Sequence, residues 1–461
     1  MKRTDFNEAH FNRRHFLKGL GALGISSMLP LSLQSADLDY DSIEFDASIY
    51  ENNNAQTIVI FLYGGPSQLA GNMTNIEEIS EKSQNPYPLG NERYIKLTQD
   101  RFWGNAGGYA MQRMLDAGDM NIFRTCYRTV DNLKAHGECT SQAQRGKDTE
   151  GGAGVIANLA SILYHKGVIN EPSGSDDVGK TIPFVTMEGE STFFSEDDLN
   201  LNAFLKPVAF GSGSDNPYKR GGSASWYENK ILNRETNSTI GEIFDTMAQK
   251  YNRDGKVKES FERRVTLEKF ADDIHNITLP DGIEYPSNNV FAQRLQTAMN
   301  LLIHNEHTKV VSMGSPGLGG WDDHSNAIDR YTARMTQLME AIESAMAHMK
   351  AAGKSNINIV VFGEFGRNVN YNNSLGWDHG NLQNVYWFGG SDYMNHLGIV
   401  GETEVEGKGG RIYQRPKGFG TANASYHFQA FSVAATIYRM YGIKNPEILT
   451  NGNAPIRDLL A

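Results

Sequence analysis

The stretch VVFGEFGRNVNYNNSLGWDHG, residues 360–380, concentrates side chains able to do chemistry. Glu364 and Arg367 follow Gly363 and Gly366, and glycine lets a chain turn sharply and present its neighbours in a crevice. Asp378 and His379 sit between Trp377 and Gly380, and an aspartate beside a histidine offers two ligand types suited to a divalent metal. A second turn of the same kind, SPGLGGWDDHSN at 315–326, brings Asp322, Asp323 and His324. A catalytic divalent ion takes about three protein ligands and keeps an open position, and Asp322, His324 and His379 can supply that set. Glu364 is then either a further ligand or the partner that holds a histidine in its productive tautomer. The alternative is structural: an ion pair between Glu364 and Arg367, and a polar turn at Asp378.

A nucleophile is sought in HGECTSQAQRG, residues 136–146. Thr140 or Ser141 at a helix start would lie near backbone amides that favour a developing anion. The same hydroxyls could simply cap the helix. Arg367 or Arg145 could orient an anionic substrate group through paired hydrogen bonds.

These residues need a frame, and the apolar runs provide one. Residues 56–62, 309–313 and 356–362 read as buried strands, each emptying into a glycine-bearing turn followed by helical spacing. Shorter strands are expected at 121–125, 182–187 and 385–388. Helices are expected at 109–117, 154–165, 241–251, 259–270, 290–305 and 428–441. A long helix follows Asn326, with Ile328, Tyr331, Met335, Leu338, Ile342, Met346 and Met349 recurring every three or four residues and Ser325 or Asn326 as its cap. Residues 37–54 and 72–101 read as loops, and 401–420 as a Gly-rich hairpin or loop. Strands alternating with helices predict an α/β sandwich with a mostly parallel central sheet and helices on both faces. In such sheets ligands bind beyond the carboxyl ends of the strands, where every candidate ligand falls.

The chain has 461 residues, room for one large core with insertions, and residues 188–238 read as an insertion or lid because they are polar without period. A formal net charge of −11 argues against binding nucleic acid by phosphate neutralisation, which needs a basic face, and is compatible with cations. Cys126 and Cys139 are the only cysteines, too few for a disulfide scaffold. Near the N-terminus, Arg13 and Arg14 precede Phe16-Leu17-Lys18 and a glycine-rich, weakly apolar run. This order resembles a twin-arginine export signal over 1–36, and the run is shorter than the roughly 20 residues a membrane span needs. It predicts a folded protein, 37–461, delivered to the periplasm or outside by the twin-arginine machinery.

FLYGGPSQL after the first strand, His136 with Ala143, GGWDDH, FGEFGR, GWDHG and the closing AFSVAATIYRMYGI occur in this order between about Thr57 and Ile443. Together they resemble the exported bacterial family called domain of unknown function 1501, grouped by fold with alkaline phosphatases, sulfatases and cofactor-independent phosphoglycerate mutases. The resemblance implies an alkaline phosphatase-like sandwich in which Asp322 or Asp323 pairs with His324 at a metal and His379 adds a further ligand. It also marks departures. Glu364-Phe365-Gly366 stands where an Asp-His-Gly usually follows a strand, Tyr63-Gly64-Gly65 where an aspartate ends the first strand, and Ala70 where many relatives carry Asp. Ser141-Gln142-Ala143-Gln144-Arg145 only loosely resembles the sulfatase modification motif, and Cys139 lacks that motif's neighbours.

Since Gly64 and Phe365 cannot coordinate, the sequence predicts at most one divalent ion, Zn, Mn, Fe or Ca. The function so implied is hydrolysis of a small phosphate or sulfate ester, or of a sulfated or phosphorylated glycan. The competing readings are a catalytically inactive exported binding or structural protein and, from five Trp and twenty Tyr, a carbohydrate-binding module.

Overall fold

The computed structural model describes residues 38–90, 95–129, 134–171, 182–188, 191–197, 199, 201–209, 246, 250, 270, 273–274, 277–408 and 410–461. The export signal at 1–36, the helices expected at 241–251 and 259–270 apart from residues 246, 250 and 270, and most of the insertion at 188–238 lie outside them. The account below concerns the unit Tyr40–Ala461.

Its strands, in chain order, are β1 (Gln56–Leu62), β2 (Met120–Tyr127), β3 (Phe184–Thr186), β4 (Val208–Ala209), β5 (Val310–Met313) and β6 (Ile357–Gly363). Then come β7 (Gly366–Arg367), β8 (His379–Gly380), β9 (Leu382–Gly389), β10 (Ile399–Val400), β11 (Thr403–Lys408) and β12 (Arg411–Pro416). The main sheet runs β10-β2-β9-β6-β1-β5-β3-β4, so the three long apolar runs are neighbours at its centre. All its pairings are parallel except the two made by β9, which lies antiparallel between β6 and β2. The expected sheet is therefore present, with β9 longer than the expected 385–388 and set between β6 and β2.

The helices are α1 (Ala47–Asn53), α2 (Ile76–Lys82), α3 (Tyr109–Asp116), α4 (His136–Arg145), α5 (Val155–His165), α6 (Val290–His304), α7 (Ala327–Ala351) and α8 (Phe431–Met440) among the described residues. Side chains alternate across a strand. Ile58, Ile60 and Leu62 of β1 therefore join one core with residues of α3, α6 and α7. On the opposite face the Thr57 hydroxyl meets that of Tyr441, just beyond α8, and Phe61 meets Phe193 edge-on. Helices cover both faces.

The apolar spacing of α7 is its buried stripe, from Ile328 to Met349. Its start differs from the expected side-chain cap. Asn326 adopts a left-handed conformation with no capping side chain, and its own N–H and that of Ala327 donate to the carbonyls of Ser374 and Leu375. The turn that leads into Trp377 thus satisfies amides that a cap residue would otherwise have to reach. Helices α1 and α2 arise inside stretches read as loops; each is seven residues long, too short to show a period. The 401–420 stretch is the β11–β12 hairpin. Trp103, Trp321, Trp377 and Trp387 are fully buried, so these indoles are core and form no surface platform for sugars. Both cysteines are buried, and no disulfide joins them.

Candidate metal centre

Register places the site. Leu62 of β1 lies level with Gly363 of β6, so Tyr63-Gly64 and Glu364 leave the sheet side by side. The loop after β5 crosses to the same point, where the Trp321 N–H donates to the Tyr63 carbonyl at 2.9 Å. The ribbon β7–β8 folds back beside it and sets Arg367 opposite His379. Glycine is required there, since a Cβ on Gly366 would stand 1.5 Å from the Leu382 carbonyl oxygen. The Trp377 N–H donates to the Asp323 carbonyl at 2.8 Å, joining the two Trp-Asp turns. Both tryptophans anchor on the buried Tyr331 ring.

His136, Asp322, His324 and His379 meet there, with one ligand atom of each within 4.8 Å of the others, and the group could hold a metal ion. Asp322 Oδ1 lies 3.0 Å from His324 Nε2, 3.5 Å from His136 Nε2 and 3.8 Å from His379 Nε2. His324 Nε2 and His379 Nε2 are 3.1 Å apart. A tetrahedral ion with bonds of about 2.0–2.1 Å spaces its ligand atoms about 3.3 Å apart, inside this spread.

The far nitrogens explain the convergence. His379 Nδ1 is 2.7 Å from the Lys134 carbonyl, which can only accept, so Nδ1 carries the proton and Nε2 presents its lone pair. His324 Nδ1 faces Asp378 Oδ1 at 3.0 Å, and His136 Nδ1 bonds Glu364. Each ring thus has an oxygen acceptor behind it and Nε2 in front, the arrangement that orients metal-ligating histidines. Burial, then the Arg367 charge, pushes the His379 pKa down to about 4, so that ring is neutral and free to coordinate at neutral pH. Burial works against the Asp322 carboxylate, but the Arg367 hydrogen bond and charge outweigh it and hold its pKa below the usual value.

Of the residues singled out from sequence, Asp322, His324 and His379 join the cluster, and Asp378 backs His324. Glu364 is buried behind it and accepts from the Gly64 N–H at 3.1 Å, from His136 and from the Thr140 hydroxyl. Arg367 does not pair with Glu364; its guanidinium bonds Asp322 and the carbonyls of Gly64, Gly65 and Trp377. Four of its N–H donors are thus spent inside the protein, and the fifth lies 3.3 Å from His324 Nε2, which leaves little of the guanidinium to orient a substrate. Asp323 turns the other way, and both its oxygens lie 2.5 Å from Arg334 Nη2.

Thr140 does not stand at a helix start: α4 begins four residues earlier, so the amides expected around that hydroxyl are already in the helix. Ser141 bonds Arg145 and the Glu150 carbonyl, away from Glu364. His136 was absent from the ligand set read from sequence. Its signals are its place among the motifs that carry the family resemblance and a spacing of four to Thr140, which puts both on one face of α4, toward Glu364.

The missing first-strand aspartate has a steric cause. Gly64 has φ +108°, and a Cβ there would lie 2.6 Å from the Asp322 backbone nitrogen, so any side chain would displace the peptide that carries Asp322. Phe365 packs against Gly65 and near the His136 and His379 rings, at centroid distances of 5.1 and 4.5 Å, and walls the cluster without coordinating.

No curated protein matches the chain. Among solved structures it is similar to the lipoteichoic acid synthase LtaP from Listeria monocytogenes, at 8% identity and TM-score 0.33, over 88% of this chain and 77% of that one. It is also similar to a cold-active alkaline phosphatase from a psychrophilic Shewanella sp., at 12% identity and TM-score 0.29, over 68% of each chain. Both likenesses are too remote to bear on the chemistry, which stands on the geometry above. Residues 227–456 match the family described as "Protein of unknown function (DUF1501)", and over this segment, which carries Asp322, His324 and His379, the chain belongs to that family.

Proposed function

We propose that this protein is an exported, metal-dependent hydrolase of small phosphate or sulfate esters that works with a single divalent ion. The observation that carries the reading is the convergence of three Nε2 atoms on Asp322, each imidazole backed at Nδ1 by an oxygen acceptor. The donor set, three imidazoles and one carboxylate, suits Zn best and also fits Mn or Fe. When bound, such an ion supplies a Lewis acid and a water of lowered pKa.

The chain's own residues do the rest. His379 stays neutral, Arg367 pins Asp322, and Glu364 fixes the tautomer of His136. Thr140 is the hydroxyl the site offers, because its proton already lies on a hydrogen bond to Glu364. Asp322, His136 and His324 are each between a third and a half exposed, so an ester can reach them from solvent.

The second reading, a metal-binding protein without turnover, is favoured by the largely committed donors of Arg367. One experiment separates the two. Protein purified without chelator should hold close to one equivalent of metal and hydrolyse aryl phosphate or aryl sulfate esters, and chelation should abolish turnover. Metal without turnover would leave the binding reading, and no metal would sink both.

A further inference from the structure

Tyr63 ties together the units that carry the cluster. Side chains alternate along an extended chain, so Phe61 and Tyr63 leave β1 on one face, their rings edge-on at 4.9 Å. The Tyr63 carbonyl accepts the N–H of Trp321, the residue before Asp322. The next N–H along, that of Gly64, donates to Glu364 at 3.1 Å. The Tyr63 hydroxyl reaches a third unit, α4, where the Gln144 amide donates to it at 2.8 Å. His136, Thr140 and Gln144 recur every four residues, which sets them on one stripe of that helix. The first two bond Glu364, and Gln144, only 1% exposed, bonds Tyr63.

The phenol is itself braced. Its hydroxyl bonds the Glu188 carboxylate beyond β3, which also accepts from the Ser312 hydroxyl of β5 at 2.6 Å. Burial, then the Glu188 charge, pushes the Tyr63 pKa up, so the hydroxyl keeps its proton and donates it to that carboxylate. Gly314 permits the close approach, since a Cβ there would stand 2.9 Å from Glu188 Oε2 and 3.1 Å from the Tyr63 ring. The Gln144 bond lies about 12 Å along the α4 axis from His136. Over that lever a tilt of about 1° moves the imidazole by ~0.2 Å, which is all that a metal bond tolerates. We infer that Tyr63, braced by Glu188, is a positioning residue of the metal cluster: through Gln144 it fixes the tilt of α4 and so the place of His136 Nε2. This rests on the proposed reading only in that the cluster takes a metal.

The test is a zinc competition titration of the full-length protein. Tyr63→Phe loses the hydroxyl but keeps the ring on Phe61 and every backbone bond, and Gln144→Met breaks the same link from the helix side. Each should weaken zinc binding by about tenfold, as outer partners of metal ligands do. The decisive arm is the His136→Ala background, where Tyr63→Phe should cost nothing further, because the ligand it places is gone. Wild-type affinity in Tyr63→Phe, or the same loss repeated without His136, would overturn the inference; the second result would mean that the phenol acts on the whole sheet edge. Amide hydrogen exchange of the zinc-free protein reads the link without metal: α4 should exchange faster in Tyr63→Phe and in Gln144→Met, and α8 should not. Were wild type to take no zinc, the metal reading would fall, while faster exchange confined to α4 would leave the Tyr63 link standing and unchanged exchange would refute it.

Discussion

Gly64→Ala tests whether the first-strand turn and the metal cluster are one mechanical unit. The residue sits at φ +108°, where an L side chain is strained by ~1–3 kcal/mol. Its new methyl would also meet Asp322 N at 2.6 Å, Trp321 N at 2.8 Å and Trp321 C at 2.9 Å. All three are backbone atoms, so no side chain can swing aside, and overpacking adds ~1–3 kcal/mol. The sum, roughly 2–6 kcal/mol, is a large part of the 5–15 kcal/mol that about spans ordinary domain stability. Spread over an unfolding entropy of about 2.1 cal/mol/K per residue, it lowers the melting temperature by roughly 2–7 °C for a unit of this length.

The second consequence is sharper. Relief requires the Trp321-Asp322 peptide to retreat by several tenths of an ångström, and metal bonds tolerate only about 0.2 Å. The variant should therefore lose bound metal as well as stability. The assay is a thermal melt alongside elemental analysis. Gly90→Ala is the control, because Gly90 also has positive φ (+73°) but nothing within 4 Å of its Cβ, so it should show strain without metal loss. A Gly64→Ala protein with wild-type melting temperature and full metal would refute the steric argument.

Alanine at His136, His324 or His379 should each lower the metal content from one equivalent, and elemental analysis finding two equivalents in wild type would contradict the exclusion of an aspartate at Gly64. Asp378→Asn and Glu364→Gln, which alter the acceptors behind His324 and His136, should weaken zinc binding by about 10–100-fold in a competition titration while leaving the fold intact. Asp323→Ala strands the buried Arg334 and should cost about 3–5 kcal/mol in a denaturant melt without changing metal content, in contrast to Asp322→Ala. Replacing Arg13 and Arg14 by Lys should leave precursor in the cytoplasm, and unchanged export by fractionation would remove the case for a twin-arginine signal.

What the sequence determined is local. Apolar runs at 56–62, 309–313 and 356–362, each closed by a glycine-bearing turn, read as buried strands, and the turns after them read as the edge where ligands gather. The two Trp-Asp-His turns were legible for the same reason: residues able to coordinate, a bulky anchor and a chain reversal all lie within a few positions. The one-ion expectation rests on the sequence alone, because Gly64 and Phe365 have no ligand atom to give.

Pairings across the chain were decided by tertiary structure. Asp322 and Asp323 are adjacent and chemically identical, yet one faces the cluster and the other a buried arginine, a choice made by how the loop packs on Arg334 and Arg367. Glu364 and Arg367 look like partners three residues apart, but Glu364 lies in the turn between β6 and β7 and points toward α4, whereas Arg367, in β7, points toward Asp322. His136 joined the site from more than 180 positions away because α4 happens to begin above the β1–β6 edge, and a lone histidine in sequence carries no mark of that placement. The tautomers likewise came from afar, set by the Lys134 carbonyl, Asp378 and Glu364. Periodicity and turn chemistry act over a few residues, whereas a ligand set is a property of surfaces that meet only once the chain has folded.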